Sequence, residues 1–215
     1  MNLLLRDTTI QAILFDLDGT LLDTFDFIYG AFEHAFERHG VPPLTRDKIS
    51  ELMGGPLEEV YQVMAPNHDP SLLTETHRTF QSENIHLVAL FVDTIPVLEE
   101  LKRRGLKIAA ITTRSLRTSL RSLEATGIAK YFDLVLSAED VSNVKPHPEP
   151  ILKALDALEL KPEQAVMVGD TSADIEAGKN AGVKTIAALY GFAGNRLLSL
   201  KPDYAIKELK ELLAL

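Results

Sequence analysis

The stretch Phe15–Thr24, FDLDGTLLDT, places two carboxylates one residue apart directly after an apolar run. That run, IQAIL at residues 10–14, is typical of a buried strand. A buried strand rarely ends in two acids, because an ionised carboxylate is costly to remove from water without a partner. Asp-Gly is a common turn pair, so a plain turn is the structural alternative. Asp16, Asp18 and Gly19 are therefore the first candidates for a functional site.

The composition limits what kind of site this can be. The chain has 215 residues, 46% of them apolar, which suffices for one substantial core and a smaller module. A net charge of -9 argues against nucleic acid as a partner but is compatible with a small phosphorylated substrate. The absence of cysteine excludes disulfides, thiolate metal sites and thiol nucleophiles.

Neither a membrane span nor a leader is expected. No apolar run approaches the roughly 18 residues that a membrane-spanning helix needs. The first twelve residues, MNLLLRDTTIQA, lack a basic leader and a cleavage site of small residues. We therefore expect no signal peptide, no membrane partner and a cytoplasmic location.

Short apolar runs alternate with helical patterns along most of the chain. Runs that are not interrupted by polar residues are typical of parallel strands covered on both faces. Their alternation with amphipathic helices predicts an α/β fold with helices on both sides of a parallel sheet. The predicted strands are Ala12–Phe15, Lys107–Ile111, Leu134–Leu136, Ala165–Val168 and Lys184–Ala188.

Residues 24–89, the helical segment, interrupt this alternation. They contain four helical stretches separated by Gly- and Pro-rich joints and no convincing strand. Such a length far exceeds an ordinary strand-to-helix loop. We interpret the segment as a helical module inserted after the first strand.

Polar residues whose side chains could bind a metal ion or phosphate, or take part in catalysis, follow the predicted strands. In an open parallel sheet, ligands bind beyond the carboxyl ends of the strands. Clustered carboxylates repel one another, which a divalent cation relieves, and oxygen-only ligands favour Mg²⁺. An ammonium and a hydroxyl would hold phosphate oxygens, and an aspartate can accept a phosphoryl group. The residues are Asp16, Asp18, Gly19, Thr112, Thr113, Arg114, Lys145, Asp170 and Asp174.

Four motifs in this order resemble the haloacid dehalogenase (HAD) superfamily in its phosphatase form. They are DLDGTLLDT, the Thr112 that ends IAAIT, Lys145 in VKPHPEP, and VGDTSAD with Asp170 and Asp174. The resemblance spans essentially the whole chain and is nearest to the phosphoglycolate phosphatase branch with its pyrophosphate-cleaving members. It implies a Rossmann-like core of residues 1–23 and 90–215 and a class-one helical cap of residues 24–89.

The resemblance also implies roles. Asp16 would be the nucleophile and Asp18 the general acid and base, with its backbone carbonyl on Mg²⁺. Thr112 and Lys145 would bind the phosphoryl group, and Gly19, Thr113 and Arg114 would lie near the substrate. The implied metal set is Asp16, Asp18, Asp170 and Asp174, the last of these indirect or orienting Lys145. The implied substrate is a small phosphate ester or pyrophosphate, cleaved by a monomer or homodimer.

Some points stay open at this level. The six histidines show no metal-ligand spacing, and each is expected on a surface or a helix face. The Gly54-Gly55-Pro56 joint is either a specificity loop or a simple interhelical turn. The chain also lacks the Pro-Gly turn that close relatives have where the chain re-enters the core. Alternatives to a phosphohydrolase are a β-phosphoglucomutase-type phosphomutase, a dehalogenase, against which Asp18 argues, and a non-catalytic binding protein.

Overall fold

The structure is a computed structural model that describes residues 9–214. The expectations about residues 1–8 and 215, including the missing leader, lie outside the described residues. Across the part of the chain that is described, no helix is both long enough and apolar enough to cross a bilayer.

Six strands form a parallel sheet and two more form a small antiparallel pair. The strands are β1 Ala12–Phe15, β2 Leu22–Asp23, β3 Ala89–Leu90, β4 Lys107–Ile111, β5 Leu134–Leu136, β6 Ala165–Gly169, β7 Lys184–Ala188 and β8 Tyr204–Ile206. The main sheet has the order β5-β4-β1-β6-β7-β8. The five predicted strands are confirmed, and the Rossmann-like α/β fold with them.

Three strands were missed by the sequence pattern. β2 and β3 have two residues each and pair antiparallel at the two ends of the helical segment, too short to leave a periodic signal. β8 is a three-residue strand at the edge of the main sheet, where it pairs with β7 alone. Its three residues are too few to leave a periodic signal, and the central one, Ala205, is exposed.

Within residues 9–214, eight helices connect and cover the strands. In the helical segment they are α1 Phe25–His39, α2 Arg46–Glu51, α3 Leu57–Met64 and α4 Pro70–Glu83. The others are α5 Thr94–Arg103, α6 Leu116–Ala125, α7 Glu149–Ala157 and α8 Ser172–Ala181. Short 3₁₀ turns lie at Ile85–Leu87, Ala129–Tyr131, Ala138–Asp140, Pro162–Gln164, Gly194–Leu200 and Leu209–Ala214.

The sheet is buried on both faces, as the uninterrupted apolar runs predict. Successive residues of β1 point to opposite sides, so Ile13 and Phe15 join one apolar cluster while Ala12 and Leu14 join another. The first cluster includes α5 and α6, and the second includes α7 and α8. The packing of helices on both faces of the sheet holds in place the strand ends that carry the predicted site residues.

An aromatic cluster between α1, α3 and α4 holds the helical segment together. The Phe32 ring lies 5.1 Å from the Tyr61 ring and 4.7 Å from the His77 ring, measured between centroids. All three side chains are buried. His77 is therefore a core residue of this segment, and the sequence pattern alone does not distinguish it from a histidine on an exposed helix face.

Candidate active site

The carboxyl end of β1 is the centre of the site. β1 lies between β4 and β6, and its last residue, Phe15, pairs with Ala110 on one side and Val168 on the other. The Asp16 amide continues this ladder by donating to the Val168 carbonyl at 2.9 Å. Residues that follow the three strands are consequently brought to one edge of the sheet, as the topology rule predicts.

Lys145 ties the separated motifs together. Its Nζ donates to Asp16 Oδ1 and to Asp174 Oδ1, both at 2.6 Å, and to the Ile111 carbonyl at 2.7 Å. The Lys145 side chain is 3% exposed. A lysine so deeply buried is tolerable only because it is paired. The surface-lysine interpretation of Lys145 is thereby excluded.

Burial and charge act in opposite directions on this cluster. Burial alone would lower the pKa of Lys145, but contact with Asp16 and Asp174 raises it above its ordinary value. Burial raises the pKa of Asp16 to about 7, and the negative charges of Asp174 and Asp18 add to this effect against the attraction of Lys145. One ammonium therefore does not neutralise the carboxylates around it.

Asp170 lies on the other side of Asp16 and is fully buried. Its Oδ1 accepts from Thr20 Oγ1 at 3.1 Å and its Oδ2 from the Phe192 amide at 2.7 Å. Burial, followed by the nearby charges of Asp16 and Asp174, raises the pKa of Asp170 well above its ordinary value.

Asp174 is an acid in the first turn of α8 and a hydrogen-bond partner of Lys145. Its Oδ2 accepts from the Thr171 amide at 3.0 Å and from Thr171 Oγ1 at 2.7 Å, which fixes it at the helix start. Its Oδ1 is then directed at the Lys145 ammonium. Both oxygens of Asp174 are thus engaged within the protein, one by Thr171 and one by Lys145.

The carboxylates fit a hard divalent cation. Asp16, Asp170 and Asp174 each offer an oxygen, and these atoms lie within 4.8 Å of one another. Burial, with repulsion from neighbouring acids, raises the pKa values of Asp16 and Asp170, so a bound cation would favour the ionised form of both. Oxygen ligands and excess negative charge are what a divalent metal ion requires. The Asp18 carboxylate is not part of this group.

A small cavity of about 40 Å³ opens onto Asp16. Thr112, Thr113, Asp18 and Lys145 contribute to its wall, so most of the predicted catalytic residues face one space. Gly19 does not line it. Its φ of +79° brings the backbone against Asp170, where an added Cβ would lie 2.3 Å from Asp170 Oδ2.

Arg114 lies beside the small cavity, and both of its terminal nitrogens donate hydrogen bonds to other groups of the protein. Its Nη1 donates to Asp18 Oδ1 at 3.1 Å, and its Nη2 donates to the Thr118 carbonyl and to Ser122 Oγ. The guanidinium thus holds the Asp18 carboxylate next to Asp16. The predicted direct contact of Arg114 with phosphate stays a prediction.

The helical segment also reaches the site, through residues that motif matching did not assign. Met53 and Gly54 of this segment line the small cavity, and so does Phe192, which follows β7 in the core. A Cβ at Gly54, where φ is +102°, would lie 3.0 Å from Thr171 Oγ1, so the turn between α2 and α3 sits directly over the core. The Gly54-Gly55-Pro56 joint was the only sequence signal for this contact, and Phe192 had none.

Comparison with known proteins gives one consistent result. A family model described as haloacid dehalogenase-like hydrolase matches residues 13–188. Pyrophosphatase PpaX of Bacillus pumilus is 34% identical over 213 residues, which cover 98% of each chain. Pyrophosphatase PpaX of Halalkalibacterium halodurans is 35% identical over 205 residues, or 95% of each chain. A solved haloacid dehalogenase-like hydrolase of Streptococcus pneumoniae superposes with a TM-score of 0.88 at 32% identity, covering 96% of this chain and 98% of that one.

These matches extend over nearly the whole chain and include every motif at the sheet edge. The fold, the order of the motifs and the relatives agree with one another. The chain belongs to the haloacid dehalogenase-like hydrolase family, in its phosphatase branch.

Proposed function

We propose that the protein is a Mg²⁺-dependent phosphohydrolase that cleaves a small phosphate ester, phosphoglycolate-like, or pyrophosphate through an aspartyl-phosphate on Asp16. The observation that carries the proposal is the contact of Lys145 Nζ with both Asp16 and Asp174 at the wall of the small cavity. The relatives named above as pyrophosphatases support a small phosphorylated substrate.

The first half-reaction would transfer the phosphoryl group to the protein. Lys145 holds Asp16 Oδ1, while no donor within residues 9–214 contacts Asp16 Oδ2. A carboxylate oxygen of Asp16 attacks phosphorus as the bond from phosphorus to the leaving oxygen breaks. Asp18 donates its proton to that oxygen, so the leaving group departs as an alcohol or as phosphate.

The second half-reaction would return the protein to its starting state. Asp18, now ionised, takes a proton from a water molecule, whose oxygen attacks the phosphorus of the aspartyl-phosphate. The bond between phosphorus and Asp16 breaks, and phosphate leaves. Arg114 keeps Asp18 in position for both transfers through its 3.1 Å ion pair.

Mg²⁺ would be held by Asp16 and Asp170, with Asp18 contributing its backbone carbonyl and Asp174 acting indirectly. When bound, it supplies positive charge that stabilises the phosphoryl oxygens. Lys145 and Thr112, which line the same cavity, would bind the phosphoryl group. We further propose that residues 24–89 act as a cap on a core of residues 1–23 and 90–215, and that closure excludes bulk water.

The test is phosphate release from a panel of phosphate esters and pyrophosphate, with Mg²⁺ and with EDTA. We expect release that EDTA abolishes and that Asp16→Asn lowers by about 10³-fold or more, because the amide is not a nucleophile. Asp26→Asn, an exposed acid on α1, is the matched control and should retain full activity. Isomerisation of a sugar phosphate without net phosphate release would instead identify a phosphomutase.

A further inference from the structure

Phe192 contacts the proposed metal site with its backbone and the helical segment with its ring. It follows β7 and is 6% exposed. Its amide donates to Asp170 Oδ2 at 2.7 Å. Its ring lies 4.6 Å from the Phe25 ring and 5.8 Å from the Tyr29 ring, measured between centroids, and both partners belong to α1. One residue therefore joins the first helix of the segment to a carboxylate proposed to bind the metal.

The loop around Phe192 is packed tightly against Asp170. A Cβ at Gly191 would lie 2.3 Å from Asp170 Cβ and 2.5 Å from the Gly19 carbonyl oxygen. The Ala193 amide donates to the Asp170 carbonyl at 3.3 Å. Atoms packed this closely do not shift independently, because protein interiors have few voids that could take up a displacement. A displacement of Phe192 therefore also displaces the amide that holds Asp170.

A second set of contacts links Phe25 to the other oxygen of Asp170. The Phe25 ring lies 6.4 Å from the Phe91 ring, which lies 4.8 Å from the Tyr190 ring. The Tyr190 hydroxyl donates to the Thr20 carbonyl at 2.8 Å, and Thr20 Oγ1 donates to Asp170 Oδ1 at 3.1 Å. Both oxygens of Asp170 are thus held by residues that are connected to Phe25 through aromatic contacts.

The Phe25 ring is also tied to the rest of the helical segment. Phe25 is the first residue of α1, and its ring lies 6.1 Å from that of Tyr29, one turn along. The Tyr29 hydroxyl is hydrogen-bonded to Ser50 Oγ of α2 at 2.5 Å. α1 contributes as well to the aromatic cluster that joins it to α3 and α4. A displacement of the segment would therefore move the Phe25 ring relative to Phe192.

We propose that Phe25 is a positioning residue that couples the placement of the helical segment to the binding of Mg²⁺ at Asp170. With the segment in place, Phe25 supports the groups that hold both Asp170 oxygens, so the carboxylate is preorganised for the metal. The coupling is reciprocal, so a metal ion at Asp170 also stabilises the packed position of the segment. This inference rests on the proposed function, because it uses the proposed metal site.

The test measures Mg²⁺ binding to the full chain without substrate, by isothermal titration calorimetry. Phe25→Leu removes the ring and should raise the Kd for Mg²⁺ about three- to tenfold, the range expected for the loss of an aromatic contact that supports an ordered ligand. Phe25→Tyr keeps the ring and should bind Mg²⁺ as wild type does. Phe36→Leu is the matched control on the same helix, since Phe36 packs against Phe32 and Tyr61 within the segment. It should lower the melting temperature in EDTA without changing the Kd.

Hydrogen–deuterium exchange tests the coupling in the reverse direction. Mg²⁺ should slow exchange of the α1 amides about three- to tenfold in the wild-type chain and clearly less in Phe25→Leu, because the ring no longer transmits the effect of the metal. Asp170→Ala removes the carboxylate itself. It should show neither the wild-type affinity for Mg²⁺ nor protection of α1 by Mg²⁺.

The outcomes separate this inference from the proposed function. Wild-type Mg²⁺ binding that Asp170→Ala abolishes, together with an unchanged Kd in Phe25→Leu, overturns the inference and leaves the metal site standing. Equal increases in Kd for Phe25→Leu and Phe36→Leu also overturn it, because they would report lost stability rather than coupling. Binding that is as tight in Asp170→Ala as in wild type contradicts both proposals. Should Phe25→Leu not fold, the absence of Mg²⁺-dependent protection of α1 in wild type overturns the inference by itself.

Discussion

Asp16→Asn should inactivate the protein and, in the absence of metal, make it more stable. Asp16 is ionised at pH 8 although burial and neighbouring acids raise its pKa to about 7 from its ordinary value of 3.8. Ionisation in the folded state is therefore unfavourable compared with the unfolded chain. An uncharged amide of nearly the same shape removes that penalty and still offers Lys145 an oxygen acceptor.

The pKa difference sets the size and the sign of the effect. Each pKa unit corresponds to about 1.36 kcal/mol, so the raised pKa lowers the free energy of unfolding by about 4 kcal/mol above pH 7. The folded-state pKa lies above the unfolded one, so the contribution of Asp16 to stability is most favourable below about pH 3.8 and is lost as pH rises towards about 7. At pH 5 the penalty is only about 2 kcal/mol.

The assay is urea unfolding of both proteins in EDTA at pH 5 and pH 8. Asp16→Asn should be more stable by about 4 kcal/mol at pH 8 and about 2 kcal/mol at pH 5. Mg²⁺ should then narrow the gap at pH 8, because it binds and stabilises the wild-type carboxylates. Asp26→Asn, which removes an exposed acid 3.4 Å from Arg46, should differ from wild type by less than about 0.5 kcal/mol at either pH.

A metal-free Asp16→Asn protein that is no more stable than wild type at pH 8 would refute the reasoning. So would a gain that is as large at pH 5 as at pH 8, since only ionisation of the carboxylate links the effect to pH.

Two further substitutions test the same cluster from other sides. Lys145→Met removes the cation that contacts Asp16 and Asp174. Because the acids are left unpaired, the substitution should destabilise the metal-free protein by about 3–5 kcal/mol in urea unfolding at pH 8. A neutral effect would show that the ion pairs contribute nothing to stability. Gly19→Ala forces a side chain into the Asp170 carboxylate at a φ of +79° and should lower the melting temperature and activity together. Gly40→Ala, at a φ of +67° with open space around it, is the control for strain alone, and equal losses in the two variants would contradict the steric argument.

Much of the architecture follows from local sequence. The five predicted apolar runs become strands because each leaves a signal without polar interruption, although β5, at the edge of the sheet, is only partly buried. Short or edge pairings such as β2 with β3 and β7 with β8 depend on a neighbour that is distant in the chain. Local pattern cannot reveal them for that reason.

The residues of the candidate site also divide into those that the sequence identified and those that only the structure revealed. Asp16, Thr112, Lys145 and Asp170 could be named from motifs, since each follows a strand or stands in a characteristic run. Their roles remain proposals, but their convergence agrees with the order of strands in the sheet. Residues from the helical segment, Phe25 among them, could not be assigned, because the direction of a helix face depends on what the helix packs against.

Sequence by itself determined five of the strands that the structure describes, the helices and the identity of the acids and lysine at the strand ends, because those depend on local periodicity and residue chemistry. Only the tertiary structure decided that Lys145 lies 2.6 Å from both Asp16 and Asp174, that Arg114 holds Asp18, and that the Phe192 amide donates to Asp170. Those contacts join residues up to 129 positions apart. They arise from sheet order and helix packing, which bring distant segments together.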